Sequence, residues 1–105
     1  MKNHEVLSAC ATANAMQKGT GFVVVPLGRF AAGGDGQYNR VRIRHHDSDL
    51  LHWKEVATLE LTAADTVSSL LDRVRLEVDR VRARWRWDRI KAEHRLLRQG
   101  RTVDL

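Results

Sequence analysis

Between Val67 and Trp85 the apolar residues Val67, Leu71, Val74, Val78, Val81 and Trp85 recur at steps of 4, 3, 4, 3 and 4. That spacing keeps all six on one face of an α-helix, with the arginines, aspartates and glutamates between them on the other faces. Asp65 stands where an N-cap is expected. A helix with one long apolar face must bury it, so the rest of the chain has to supply a covering layer.

Two upstream patterns fit that role. In "RVRIRHH", Arg40, Arg42 and Arg44 alternate with Val41 and Ile43, the period of a strand with one buried face. "HWKEVATLELT" follows the turn residues of "HHDSD", with Val56, Leu59 and Leu61 as its apolar members. The short separation predicts an antiparallel hairpin, and the step of three from Val56 to Leu59 predicts a bulge or a late strand start. Earlier still, "FVVVPL" is apolar throughout, rich in β-branched valine, and ended by Pro26 and Gly28, which predicts a strand buried on both faces. Residues His4 to Lys18 favour a weak helix through their alanines. Val6, Leu7, Cys10, Ala13 and Met16 form its apolar side, Thr12 and Asn14 oppose it, and Gly19 is its expected cap. The glycines of "GRFAAGGDGQ" mark a loop.

A chain of 105 residues is one domain's worth, with a modest core. Its net charge of +5 is uneven: from Arg73 to Arg101 there are eleven Lys/Arg against four Asp/Glu. Such a stretch attracts polyanions of any kind, RNA, DNA, anionic lipid or an acidic protein. Cys10 is alone, so no intrachain disulfide forms and a reducing compartment is expected, the cytoplasm with the nucleus as alternative. "LSAC" at 7–10 has the look of a lipoprotein cleavage box. Yet Val6 is the single apolar residue between "MKNHE" and Leu7, where a signal needs about 7–15. No run approaches the roughly 20 apolar residues of a membrane span, so no membrane partner is expected.

Chemistry is sparse. His45, His46 and His52 flank the hairpin turn with Asp47 and Asp49, but adjacent histidines on a strand point to opposite faces and no Cys pair or helical His spacing supports a metal. Cys10 among small residues is expected to be a buried, inert thiol rather than a nucleophile. "GGDG" lacks the lysine and serine of a phosphate loop. No catalytic residue, metal or cofactor is expected, and the chain reads as non-enzymatic.

Past Asp88 the apolar stripe breaks. Arg95-Leu96-Leu97-Arg98 fits the end of one continuous helix as well as it fits a new strand, and Gly100 fits a helix cap and a β-turn alike. Two segments here resemble the ubiquitin-like (β-grasp) family over residues 39–105. "ATLELTAADTVSSLLDRV" is similar to the family's second strand, turn and helix start, through Leu59, Leu61, Asp65, Thr66, Val67, Leu70 and Val74. "HRLLRQGRTVDL" is similar to its third strand and following turn, through Arg95, Leu96, Leu97, Gly100 and Arg101, with "NRVRIRHH" as the first strand.

The resemblance implies an α+β fold: a mixed β-grasp sheet crossed by one long helix that ends near Trp87, plus an N-terminal helix and strand at 1–38. The segment between Asp65 and Leu96 is longer than the family's, and the family's last strand, central in the sheet, has no counterpart. Phe22 to Leu27 is expected to fill that slot, because an empty one would leave two edges unpaired. The implied function is a non-catalytic protein-interaction or adaptor module. Its recognition face would be basic and centred on Leu97, with Arg95, Arg98, Arg42 and Arg44 around it. The chain ends in "VDL" without the family's di-glycine tail, so conjugation is not expected.

Two alternatives stand beside this reading. "RVRARWRWDRIK" interleaves aromatics with cations, and Arg82, Arg84, Arg86, Trp87 and Arg89 would bind nucleic acid through phosphates and stacking. A helical dimer would instead use a coiled coil over 65–98, through the heptad-like stripe from Val67 to Trp85. The chain is then a monomer, or a homodimer through strand exchange or that stripe.

Overall fold

The computed structural model describes residues 1–30, 36–47 and 52–99. The elements run α1 (Asn3–Met16), β1 (Phe22–Phe30), β2 (Gly36–Asp47), β3 (His52–Glu60) and α2 (Val67–Arg98). The three strands form one antiparallel sheet in the order β1-β2-β3, and the chain is α+β.

Alternation along β2 sorts the sheet into two faces. Val41 and Ile43, fully buried, join Phe22 and Val24 of β1 on the inner face. Against them lie Val6, Ala9, Cys10 and Ala13 of α1 and Leu70, Val74, Val78 and Val81 of α2. The stripe thus does what its spacing predicts, and its last member, Trp85, stacks on Phe22 with ring centroids 5.8 Å apart. His45 meets the same indole edge-on at 4.9 Å. On β3, Ala57 partners Ile43 and Glu55 partners Arg44, which leaves Val56 as the extra residue of the expected bulge.

Helix α1 is pinned at both ends by asparagine. Asn3 donates from Nδ2 to the Gly36 carbonyl at 2.8 Å and accepts from the Tyr38 N–H at 3.0 Å. Asn14 donates from Nδ2 to the Val24 carbonyl at 3.1 Å and accepts from the Val24 N–H at 2.6 Å. Each side chain stands in for a neighbouring strand. The face of α1 that packs is narrower than expected, because Leu7 and Met16 remain exposed. The helix ends at Gln17 rather than at Gly19, and the tight link to β1 instead uses positive φ at both Gly19 and Gly21. At Gly21 a Cβ would come within 2.9 Å of His45 Nε2 and the His46 carbonyl oxygen, and the Gly21 carbonyl accepts from the His46 N–H at 2.8 Å.

Several expectations change. Residues 95–98 are the last turn of α2, not a strand: the Gln99 N–H still donates to the Arg95 and Leu96 carbonyls, each at 3.2 Å. The cause lies in the chain, which has neither glycine nor proline between Val67 and Gln99 and so nothing to stop the helix. Arg95 and Arg98 in the final turn also suit its dipole. Without that strand the described residues form an antiparallel sheet, not the mixed sheet of a β-grasp. Phe22–Leu27 does join the sheet, but as an edge strand beside β2 rather than a central one. Thr66, not Asp65, caps α2, accepting from the Ser69 N–H at 3.1 Å. Asp65 folds back to accept from the Thr62 N–H at 2.7 Å and from Arg73 Nη1 at 3.1 Å, and chiefly the former holds its carboxyl below the usual range. The Val67–Trp85 stripe offered for a coiled coil is packed against this chain's own sheet and α1. The expected turn at Gly100 and Arg101, most of the "GGDG" loop, and Asp49 lie outside the described residues.

Cys10 is buried, and burial pushes its thiol up to about 11. It should therefore resist a disulfide reagent at pH 8 in the folded protein and react fully once the chain is unfolded in denaturant. Prompt native reaction would contradict its place in the core.

Candidate functional site

Every residue from Arg86 to Gln99 is exposed, although all are helical as far as Arg98. At 1.5 Å per residue this is about 20 Å of helix carried beyond the body. The molecule is correspondingly elongated, 63 Å along its longest axis. The stretch stays helical through strong helix formers, among them Arg86, Arg89, Lys91, Ala92, Glu93, Leu96 and Leu97.

From Arg82 to Arg98, the rod and the turn before it carry seven Lys/Arg and two acids, Asp88 and Glu93. The described residues form three ion pairs, Arg42–Glu55, Arg73–Asp65 and Arg80–Glu77, and none involves these seven cations. Arg82, Arg86 and Arg89 follow one another at i, i+4, i+7 and share a ridge. Trp85 is committed to the core edge, whereas Trp87 is 57% exposed with Lys91 Nζ 5.8 Å from its ring centroid. The sequence division of labour between the two indoles therefore holds.

A second cationic surface covers the outer face of the sheet. Arg40, Arg42 and Arg44 stand there in a row, as their alternation predicts, between Leu27, Val25 and Val23 on β1 and Glu60, Thr58 and Glu55 on β3. These cations are partly engaged. Arg42 Nη1 pairs with Glu55 Oε1 at 3.2 Å, and the Arg44 guanidinium lies 5.1 Å from the Trp53 ring centroid. The Nε atoms of both are buried without a hydrogen-bond partner.

The five residues assigned to one recognition face do not meet. Arg42 and Arg44 lie on the outer sheet face, while Arg95, Leu97 and Arg98 end a helix that packs over the inner one. Leu97 is indeed exposed, but on a helix. Arg82, Arg84, Arg86, Trp87 and Arg89 do share one exposed segment. His45 and His46 point to opposite faces, the first to Trp85 and the second to Trp53, with centroids 4.9 Å and 4.8 Å apart. Among the described residues no group of His, Cys, Asp and Glu is placed to hold a metal ion, and no helix is long and apolar enough to cross a membrane.

One pattern escaped the sequence reading. Leu76, Ala83, Trp87, Ile90, His94 and Leu97 are spaced 7, 4, 3, 4 and 3 apart, and all are exposed. At about 100° per residue they lie on the side of α2 turned away from the sheet. Its spacing is present in the sequence, but it is interrupted by Arg80 and holds His94, whereas the Val67–Trp85 stripe on the opposite face is apolar throughout.

No protein-family model, curated protein or solved structure matches this chain.

Proposed function

We infer that this chain is a non-catalytic nucleic-acid-binding module that lays the projecting half of α2 along a duplex. One observation carries the reading: among the described residues, the five cations of the exposed rod, Arg86, Arg89, Lys91, Arg95 and Arg98, form no ion pair, and no residue of that rod is buried. A helix is about 10–12 Å across, and the B-DNA major groove is about 12 Å wide, so a free rod of this kind enters without rearrangement. The Arg82, Arg86 and Arg89 ridge would pair with phosphates. The outer sheet face is the weaker candidate because Glu55 and Trp53 already occupy two of its three arginines. This reading requires no β-grasp and no Leu97-centred sheet face.

Fluorescence anisotropy with a labelled 20-base-pair DNA duplex tests it. Log affinity should fall linearly with log salt, with a slope near −0.9 per phosphate engaged. Replacing Arg82, Arg86 and Arg89 together with Gln should weaken binding at least about 10-fold and flatten the slope by about 2–3. No binding at low salt, or a triple variant that binds like its parent, rejects the proposal.

A further inference from the structure

We propose that the outward face of α2 carrying Leu76, Ala83, Trp87, Ile90, His94 and Leu97 is the seam of an antiparallel homodimer. The seam takes up Trp87, Arg86 and one side of the rod, so self-association and duplex binding are alternative uses of the same helix. Each residue sits at an a or d position of one heptad frame, with Trp87 and His94 at a and Ala83, Ile90 and Leu97 at d. The remaining a position of the exposed rod is Arg80. This face is distinct from the stripe already buried by the sheet, so two copies can join without disturbing either core.

Side-chain size and charge select both the occupant and its direction. In a parallel pair Arg80 would face Arg80, and His94 would face His94, across the seam. In an antiparallel pair with its two-fold axis between positions 87 and 90, a residues face d residues. Arg80 then lies against Leu97 of the second copy, His94 against Ala83, and Trp87 against Ile90. His94 meets the small Ala83, the apolar Trp87 and Ile90 meet each other, and no cation meets its own copy. The flanks agree in sign: Glu77 faces Arg98 and Arg86 faces Glu93, each twice by symmetry. Arg84 facing Lys91, also twice, is the one opposing pair, so attractive pairs outnumber repulsive ones four to two. The bodies lie on the outer sides of the two helices and do not collide, since each helix presents its sheet-packing face away from the seam. Arg82, Arg89 and Arg95 fall at outward b and c positions and stay free.

Sedimentation equilibrium on the full chain from about 1 to 100 μM reads a micromolar association directly. The expected mass rises to twice the 12.0 kDa of one chain. Ile90→Glu, which puts two carboxylates, one from each copy, into a dry seam, should weaken association at least about 100-fold while thermal unfolding of the body stays unchanged, because Ile90 belongs neither to the core nor to the side chains packed against it. Direction is read by mild oxidation. Ala83→Cys mixed with His94→Cys should cross-link between the two variants. Ala83→Cys alone should not, because its two copies would lie about 16 Å apart along the axis. A 12.0 kDa species throughout the range, an Ile90→Glu variant that still dimerises, or preferential self-linking of Ala83→Cys each overturns the proposal.

Discussion

Asn14→Leu should cost about 2–4 kcal/mol of folding stability in urea titrations, although leucine is the better helix former. The side chain amide of Asn14 occupies both backbone groups of Val24 on the open edge of β1. Leucine would leave an N–H and a carbonyl beside the helix without partners, at about 1–3 kcal/mol each where water is kept away. Asn14→Asp keeps the acceptor but sets a carboxylate against the Val24 carbonyl, so it should fall as far or further at pH 7 and recover in part when the carboxyl is protonated. Thr12→Ala is the control. Thr12 is exposed and makes no such bond, so its replacement should be neutral or raise stability by a few tenths of a kcal/mol. The edge itself supplies a second readout. With Asn14 gone, β1 presents an unpaired apolar strand, and Asn14→Leu should aggregate at concentrations where the parent stays dispersed.

That pair of residues marks where reading the chain in order succeeds and where it stops. Helix propensity sees Thr12 and Asn14 alike as faults in α1, because it knows nothing of the strand edge ten residues further on. Elements whose periodicity carries their own burial were legible: the stripe of α2, the alternation of β2, and the bulge at Val56, where a step of three breaks a period of two. The edge position of β1 was not. "FVVVPL" has no polar face to declare, since Val23, Val25 and Leu27 are shielded by the stems of the neighbouring arginines rather than by another layer. The end of α2 was the costliest misreading. The likeness of "HRLLRQGRTVDL" to a family strand and turn stands against an uninterrupted helical sequence with no stop signal before Gly100, and the local physics prevails. Leu97 kept its exposure but lost its sheet. On the candidate site, the cations and the separation of Trp85 from Trp87 were legible in the stripe and its flanks, whereas the heptad face behind that stripe stands out only in the three-dimensional frame.

Ala92→Pro should abolish partner binding and leave the folded body intact. Within a helix, proline removes one backbone hydrogen bond and clashes with the preceding turn, at about 3 kcal/mol or more. In most proteins that cost is charged to the whole fold. Here, among the described residues, none beyond Val81 is buried and the last side chain packed on the core is Trp85, so the body does not hold residues 88–99 helical against it. A free end of this length is marginal by itself, and it should unwind locally rather than transmit the strain. Far-UV circular dichroism should lose the signal of about one dozen helical residues, while the urea midpoint shifts by no more than the error of the measurement. Duplex affinity should fall at least about 10-fold because Arg89, Lys91, Arg95 and Arg98 no longer share a rod. Self-association should vanish with it, since Trp87, Ile90, His94 and Leu97 hold their common face only while the backbone is helical. A matching loss of body stability would mean that the distal segment packs on the core after all, and the separation between a folding half and a binding half of α2 would have to be given up.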